Sequence, residues 1–346
     1  MSFTRWPVLL MRPGFGTTWC QRKNAVKPLA NRLLAAGRTF GPYLAIELVM
    51  PGGSLLALLL WLSRMSSARA SKFTGASRET DEFQPPSRFY TYGGICNHPD
   101  TTGEGMNIAN KTVLITGANR GIGRALVSEA LRRGAERVYA GVRGGLEIAD
   151  PRVTPLTLDV TNATQIARAT EEVGSLDVLV NNAGIALYDD LSNPALIEQH
   201  LAVNLYGPLN VTRAFLPLLR RSQGAVVNNL SVVALAPVPV IPGYSISKAA
   251  ALNMTQAMRA LLAGQSVSVH AVFLGPIDTD MNRGFDIPKA PTEVAARGIF
   301  DGIEKGEEDI FPDPMSQSIA QGWRASAAKA LERQFAAFVP QSAAAA

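Results

Sequence analysis

Cysteine and histidine are scarce in this 346-residue chain, which has two Cys, Cys20 and Cys96, and three His, His98, His200 and His270. Neither cysteine stands in a C-x-x-C or Cys/His ligand spacing, so a disulfide framework and a zinc site have no residues to build on, and no metal is expected. The scattered histidines read as surface or packing residues. Charge of one sign is missing where it would matter. The net charge of +5 divides at Met106 into 12 Lys/Arg against 6 Asp/Glu before it and 21 against 22 from it onward. The basic excess therefore belongs to the first part, and the larger part carries no footprint for nucleic acid. Charged residues make up only 18% against 47% hydrophobic, which excludes global disorder and leaves enough apolar surface for a sizeable core. The absence of any fixed-period repeat excludes a solenoid.

Residues 1–105 form a basic leader without sustained strand and helix alternation. Tyr43 to Leu62 is apolar and at 20 residues just long enough to span a bilayer. Glu47 and the Pro51-Gly52-Gly53 break interrupt it, so any membrane contact falls to 43–62 alone and a cytoplasmic protein is expected. Ala68-Arg69-Ala70 resembles a signal-peptidase site, but the leader before it is far longer than a secretory signal. Residues 71–105 are rich in Ser, Thr, Gly and Pro and read as linker. An alternative is that the natural product starts at Met106. The domain expected to carry the chemistry is 106–346.

From Thr112 the rhythm changes to short β-branched runs alternating with helical patterns, which predicts an α/β fold of the Rossmann type. About seven strands are expected in a doubly wound parallel sheet with helices on both faces: 112–116, 137–142, 153–158, 177–182, 225–230, 267–273 and 308–311. Helices are expected at about 122–133, 163–173, 201–221, 244–263, 291–305 and 316–337.

The first strand runs into Thr116-Gly117-Ala118-Asn119-Arg120-Gly121-Ile122-Gly123, which opens a helix. Gly117 and Gly121 permit a tight turn close to a pyrophosphate, and Gly123 lets the helix approach the sheet, with helix-terminal N–H groups facing phosphates. Three glycines alone fit an ordinary strand-to-helix turn as well. At the end of the second strand, where a carboxylate would bind an adenine-ribose 2′-hydroxyl, the chain reads Gly141-Val142-Arg143. With no acid there, Arg143 and Arg120 can clamp a 2′-phosphate, which favours NADP(H) over NAD(H).

Tyr244-Ser245-Ile246-Ser247-Lys248 begins a long helix and puts Tyr244 and Lys248 one turn apart on one face. A phenol beside an ammonium makes a usable proton donor for a carbonyl receiving hydride. Ser231, 13 residues before Tyr244, can hydrogen-bond the substrate oxygen. Taken alone, a Tyr and Lys pair on a helix is common surface decoration.

The joint order of these motifs resembles the short-chain dehydrogenase/reductase family over about residues 108–312. The resemblance rests on T-G-x-x-x-G-x-G at Thr116–Gly123, Asp159-Val160 after the third strand, N-N-A-G at Asn181–Gly184, a helical Asn204, then Ser231 and Y-x-x-x-K. It implies the small single-domain branch, with Tyr244 as general acid/base, Lys248 also holding the nicotinamide ribose, Ser231 orienting the carbonyl and Asn204 anchoring a proton-relaying water. It further implies cofactor contacts from Gly117, Asn119, Arg120, Gly121, Ile122, Gly123 and Arg143. Asp159 and Val160 fall at the adenine, Asn181, Ala183 and Gly184 beside the central strand, and Ile277 and Thr279 at the carboxamide. Homodimers or homotetramers joined through 201–221 and 244–263 follow from the same likeness.

Three features depart from the pattern. Leu274 stands where the family has the proline of a Pro-Gly pair. The crossover from Arg143 to Arg152 is too short for a full helix. The leader has no counterpart. Leu187, Val232, Val233, Leu235, Val238 and Ile241 are apolar around the expected pocket, which suggests a small or lipophilic carbonyl/alcohol substrate, with 280–292 as a short lid. The competing reading is a dinucleotide-binding regulatory or scaffold protein of the same fold without turnover.

Overall fold

The computed structural model describes residues 105–146 and 148–339. The apolar segment 43–62 and the leader up to residue 104 lie outside the described residues. Among those described, no helix is long and apolar enough to cross a membrane.

Seven strands form one sheet, all neighbours parallel: β1 (Thr112–Thr116), β2 (Arg137–Val142), β3 (Val153–Thr157), β4 (Val178–Asn181), β5 (Ala225–Asn229), β6 (Ser268–Val272) and β7 (Asp309–Ile310), in the order β3-β2-β1-β4-β5-β6-β7. The apolar runs of the inner strands such as β1 follow from burial on both faces, which leaves no room for a polar alternation, whereas the edge strand β3 exposes Pro155 and Thr157. In β1, Val113 and Ile115 face one core and Leu114 the other. The first core packs Leu126 and Val127 of α1 (Gly121–Arg132) with Ile299 and Phe300 of α6 (Thr292–Glu304). The opposite core packs Ile166 of α2 (Ala163–Glu172) with Val211, Phe215 and Leu219 of α4 (Gly207–Ser222). Each such fully buried side chain stabilises the fold by about 1.5–3 kcal/mol. The strand order reverses between β1 and β4, and the crevice at their carboxyl ends is where an open α/β sheet binds its ligand.

Three elements differ from expectation. The helix expected over 201–221 begins earlier, as α3 (Pro194–Leu201), continues through a π-helical segment Ala202–Tyr206 and becomes α4. The signal for α3 was present in Asn193-Pro194: Asn193 caps the helix by accepting from Ala195 N, and proline occupies the first turn, where its missing N–H costs nothing. The helix expected over 316–337 divides into α7 (Pro314–Arg324) and α8 (Ala327–Ala336), because Ser326 caps a new helix by accepting from Lys329 N. Residues 308–311 supply only two strand residues. The remaining helix is α5 (Pro242–Ala263).

Candidate active site

The glycine turn is shaped by clearance. Gly117 and Gly121 have φ of +66° and +51°, and a Cβ on Gly123 would lie 2.0 Å from the Gly117 carbonyl oxygen. Arg120 caps α1 with extended backbone and no side-chain hydrogen bond, so the first N–H groups of the helix carry no side-chain cap. Asn182 fixes the turn from the next strand, its Nδ2 donating to Thr116 O (2.9 Å) and Gly117 O (3.2 Å). The backbone N–H groups of Asn182 and Ala183 both donate to Thr116 Oγ1 at 3.0 Å, which ties the end of β4 to the end of β1.

A cleft of about 790 Å³ opens over this turn. Its lining includes Gly117, Asn119, Arg120, Gly121, Ile122, Gly123, Arg143, Asp159, Val160, Ala183, Gly184, Thr279, Tyr244 and Lys248. The sequence-predicted residues Asn181, Asn204, Ser231 and Ile277 do not line it. Asn181 points to the α4 face: its Nδ2 donates to Thr212 Oγ1 (3.0 Å) and Asn228 Oδ1 (2.9 Å). Strand alternation gives the cleft to Asn182 instead. Ile277 is buried, and its carbonyl accepts from Asn282 Nδ2 at 2.8 Å. At the apolar end Leu187 lines the cleft with Ile185, Ala186 and Met281, whereas Val232 and Leu235 pack against the Phe273 cluster.

Arg120 and Arg143 border the cleft at the end over the glycine turn. Arg120 lies 3.6 Å from Asp280 Oδ2, both exposed. Burial raises the Asp159 carboxyl, but hydrogen bonds from Thr161 N (2.9 Å) and Oγ1 (2.7 Å), with the charge of Arg143, outweigh it and hold the group below its ordinary value.

Helix α5 brings Tyr244 and Lys248 to the cleft. Asp189 accepts the Gly243 N–H at 3.2 and 3.0 Å, which fixes the helix entrance one residue before Tyr244. One turn on, Lys248 Nζ lies 5.7 Å from the Tyr244 ring centre and donates to Asn229 O at 2.8 Å. Burial lowers Lys248 to about 8. Burial also raises Tyr244 to about 12, against an opposing pull from a hydrogen bond with Ser231. The sequence anticipates a phenol made more acidic by the ammonium; instead desolvation dominates, and Lys248 directs a hydrogen bond to Asn229 O. Ser231 Oγ donates to Leu274 O at 3.1 Å and accepts from Val233 N at 3.3 Å.

Asn204 sits in the π-helical segment. Its Oδ1 accepts from Ile185 N (3.0 Å), and its Nδ2 donates to Ile185 O (2.9 Å) and Ser247 Oγ (2.9 Å). The side chain therefore locks the loop after β4 to α5. Three further residues shape this end and were not singled out from sequence: His200, Asp189 and Asn229. His200 Nε2 accepts from Leu187 N (2.9 Å), so the proton is on Nδ1, which donates to Leu196 O (2.8 Å). Asn229 lines the cleft and donates from Nδ2 to Asn182 Oδ1 (3.1 Å), while its buried Oδ1 has no partner. Their signals are local only in retrospect, since none belongs to a spaced motif.

The glycine clearance, the uncapped helix terminus and the unpartnered Asn229 oxygen all suit a dinucleotide. Comparison with known proteins agrees. The family model "short chain dehydrogenase" matches residues 111–289. The short chain dehydrogenase tazN of Aspergillus terreus is 35% identical over 209 residues, covering 54% of this chain and 45% of its own length. The 2-(S)-hydroxypropyl-CoM dehydrogenase 3 of Xanthobacter autotrophicus is 34% identical over 210 residues, 56% of this chain and 82% of that one. This chain thus spans less than half of the first of these relatives and most of the second. A crystal structure of a short chain dehydrogenase from Burkholderia cenocepacia in complex with NADP is 39% identical with a TM-score of 0.61, covering 66% of this chain and 98% of that chain. The glycine turn, the parallel sheet, the Tyr244–Lys248 pair and the match over 111–289 together make this chain a member of the short chain dehydrogenase family.

Proposed function

We propose that this chain is an NADP(H)-dependent oxidoreductase that interconverts a carbonyl and an alcohol on a small or lipophilic substrate. The observation that carries the reading is that Tyr244 and Lys248 share one cleft with the glycine turn. Gly117, Asn119, Arg120, Gly121, Ile122 and Gly123 would hold the pyrophosphate, Arg120 and Arg143 a 2′-phosphate, Asp159 and Val160 the adenine, and Ala183, Gly184 and Thr279 the nicotinamide end. The bound nicotinamide supplies hydride to, or accepts it from, the substrate carbon.

The chain's own side chains handle the proton. Tyr244, kept protonated by burial, donates from Oη to the carbonyl oxygen in reduction and receives that proton in oxidation. Ser231, set behind the cleft lining, acts on Tyr244 through the hydrogen bond between them, and Lys248 carries positive charge to the phenolate left behind. Asn204 acts through the loop and through Ser247 rather than by touching substrate. Preference for NADP(H) is supported by Arg143 in place of an acid after β2 and by likeness to an NADP-bound relative. A soluble cytoplasmic enzyme assembling as dimers or tetramers belongs to this reading, supported by exposed Tyr206 and Ile246 beside and on the helices expected to pair.

The test is NADPH oxidation across a panel of aldehydes and ketones. Tyr244→Phe is expected to lower kcat about a hundredfold or more while NADPH still binds. Undiminished turnover in that variant would sink the mechanism, and binding without turnover of any carbonyl or alcohol by the unaltered chain would favour a regulatory protein.

A further inference from the structure

The loop after β6 runs from Phe273 to Ala290, and Leu274, Thr279, Asp280 and Met281 of it line the cleft. The Leu274 carbonyl accepts both Ser231 Oγ (3.1 Å) and Val232 N (2.9 Å), so wherever that peptide goes the Ser231 hydroxyl follows. No proline ring fixes φ at Leu274. The other side of the same planar peptide is held from elsewhere: Gly275 N donates to Asp313 Oδ2 at 2.8 Å, and Asp313 is 1% exposed. Asp313 lies beyond β7, outside the segment matched by the family model, at the entrance to α7.

The two oxygens of Asp313 do different jobs. Oδ1 accepts Ser316 N (3.1 Å), the ordinary helix cap. Oδ2 accepts Ser316 Oγ (2.8 Å) and reaches across to Gly275. A cap needs only the first. The contact is close enough that a Cβ at Gly275 would fall 2.5 Å from Asp313 Oδ1, so the glycine is what admits the carboxylate. A buried carboxylate that accepts several N–H and O–H donors is a stiff anchor, because moving it leaves charge desolvated and unpaired.

We infer that Asp313 is a positioning residue for the redox centre: through the Gly275 amide its carboxylate fixes the Leu274 carbonyl and thereby the Ser231 hydroxyl beside Tyr244. This rests on the reaction proposed above. It makes the entrance of α7 part of the positioning of the site.

The full chain tests it with two isosteric or near-isosteric variants. Asp313→Asn can keep the cap through its amide oxygen but turns an N–H donor toward the Gly275 N–H, whereas Ser316→Ala weakens the reciprocal cap and leaves the Gly275 bond. Asp313→Ser, itself a good cap but too short to reach Gly275, stands in if the asparagine variant folds poorly. The expected result is that Asp313→Asn or Asp313→Ser lowers kcat at saturating NADPH and carbonyl by about tenfold or more, as misplacement of a reacting group does. The Gly275 amide should also lose its hydrogen-exchange protection. Ser316→Ala should lower Tm and keep kcat within about twofold. The inference is overturned if the Asp313 variants retain kcat, or if Ser316→Ala loses kcat with them in proportion to Tm. Should the unaltered chain turn over no carbonyl or alcohol, the reaction assignment falls on its own, and the exchange measurement still decides: a protected Gly275 amide in Asp313→Asn refutes the tether.

Discussion

The two ends of the cleft are built from different materials. At the end over the glycine turn, which the proposed reading gives to the adenine and the phosphates, the groups facing the ligand space are backbone, glycines at positive φ and uncapped helix N–H groups, with two arginine side chains at the rim. At the other end, which the proposed reading gives to the redox step, side chains matter: Tyr244 and Lys248 line the cleft, and Ser231 and Asn204 stand behind it, with Lys248 held on Asn229 O, Ser231 on Leu274 O, and Asn204 on the Ile185 backbone and Ser247 Oγ. A nucleotide's phosphates can be bound by chain geometry alone, whereas proton transfer needs particular atoms at particular places. Substitutions at the first end should therefore act through shape and on binding, and those at the second through hydrogen bonds and on turnover.

The largest effect expected from this contrast is at Gly123. Gly123→Ala puts a methyl 2.0 Å from the Gly117 carbonyl, and 2.7 Å from Asn182 Nδ2, so the turn must open. NADPH affinity measured by fluorescence titration should fall about a hundredfold or more, since a contact that close cannot be relieved without moving backbone. Unchanged affinity would break the claim that the adenine end works by clearance.

Next is the pH response of the redox end. Lys248, lowered to about 8 by burial, is charged below that pH and neutral above it. The direction follows directly: carbonyl reduction should be flat on the acid side and fall as pH rises past 8, by about tenfold between pH 7 and pH 9 for a single titrating group. Tyr244, raised to about 12, stays protonated throughout that window and contributes no second inflection. The profile of kcat/KM, taken at each pH with cofactor varied, checks this; a flat profile to pH 10 removes Lys248 charge from the mechanism.

A smaller effect belongs to the rim. Arg143 is exposed, so its charge is screened, and Arg143→Ala should reduce NADPH affinity several-fold while leaving NADH affinity nearly unchanged. The ratio of the two dissociation constants at low and at physiological salt measures it. Equal losses for both cofactors would show Arg143 serving the adenine ribose or the fold rather than a 2′-phosphate.

The same contrast explains what could be read from the sequence. The sheet was legible because strands buried on both faces must be continuous apolar runs, and β1 and β2 fall on the expected residues. The glycine turn was legible because only glycine meets those clearances. Tyr244 and Lys248 were legible because helical spacing alone brings them together. What sequence reading misplaced depends on partners distant along the chain. Asn181 and Asn182 are adjacent identical residues, and only the strand's phase relative to α4 sends the first side chain to Thr212 Oγ1 and the second to the Thr116 and Gly117 carbonyls. His200 and Asp189 act on Leu187 and Gly243 through contacts formed when α3 packs on α5. Asp313 lies 38 residues from the amide it holds, a separation no local pattern encodes.

The π-helical segment Ala202–Tyr206 admits one extra residue into what would otherwise be a single uninterrupted rod. Each residue of an ordinary α-helix turns the phase by roughly 100°, so the insertion resets which side of the rod faces the interior from that point on. Before it, buried His200 grips the loop at Leu187; after it, Val211, Phe215 and Leu219 descend into the hydrophobic layer beneath the sheet. One continuous length of chain thereby satisfies two geometrical demands that a regular helix would set against each other, and loss of one residue there would misalign every side chain downstream as far as Ser222.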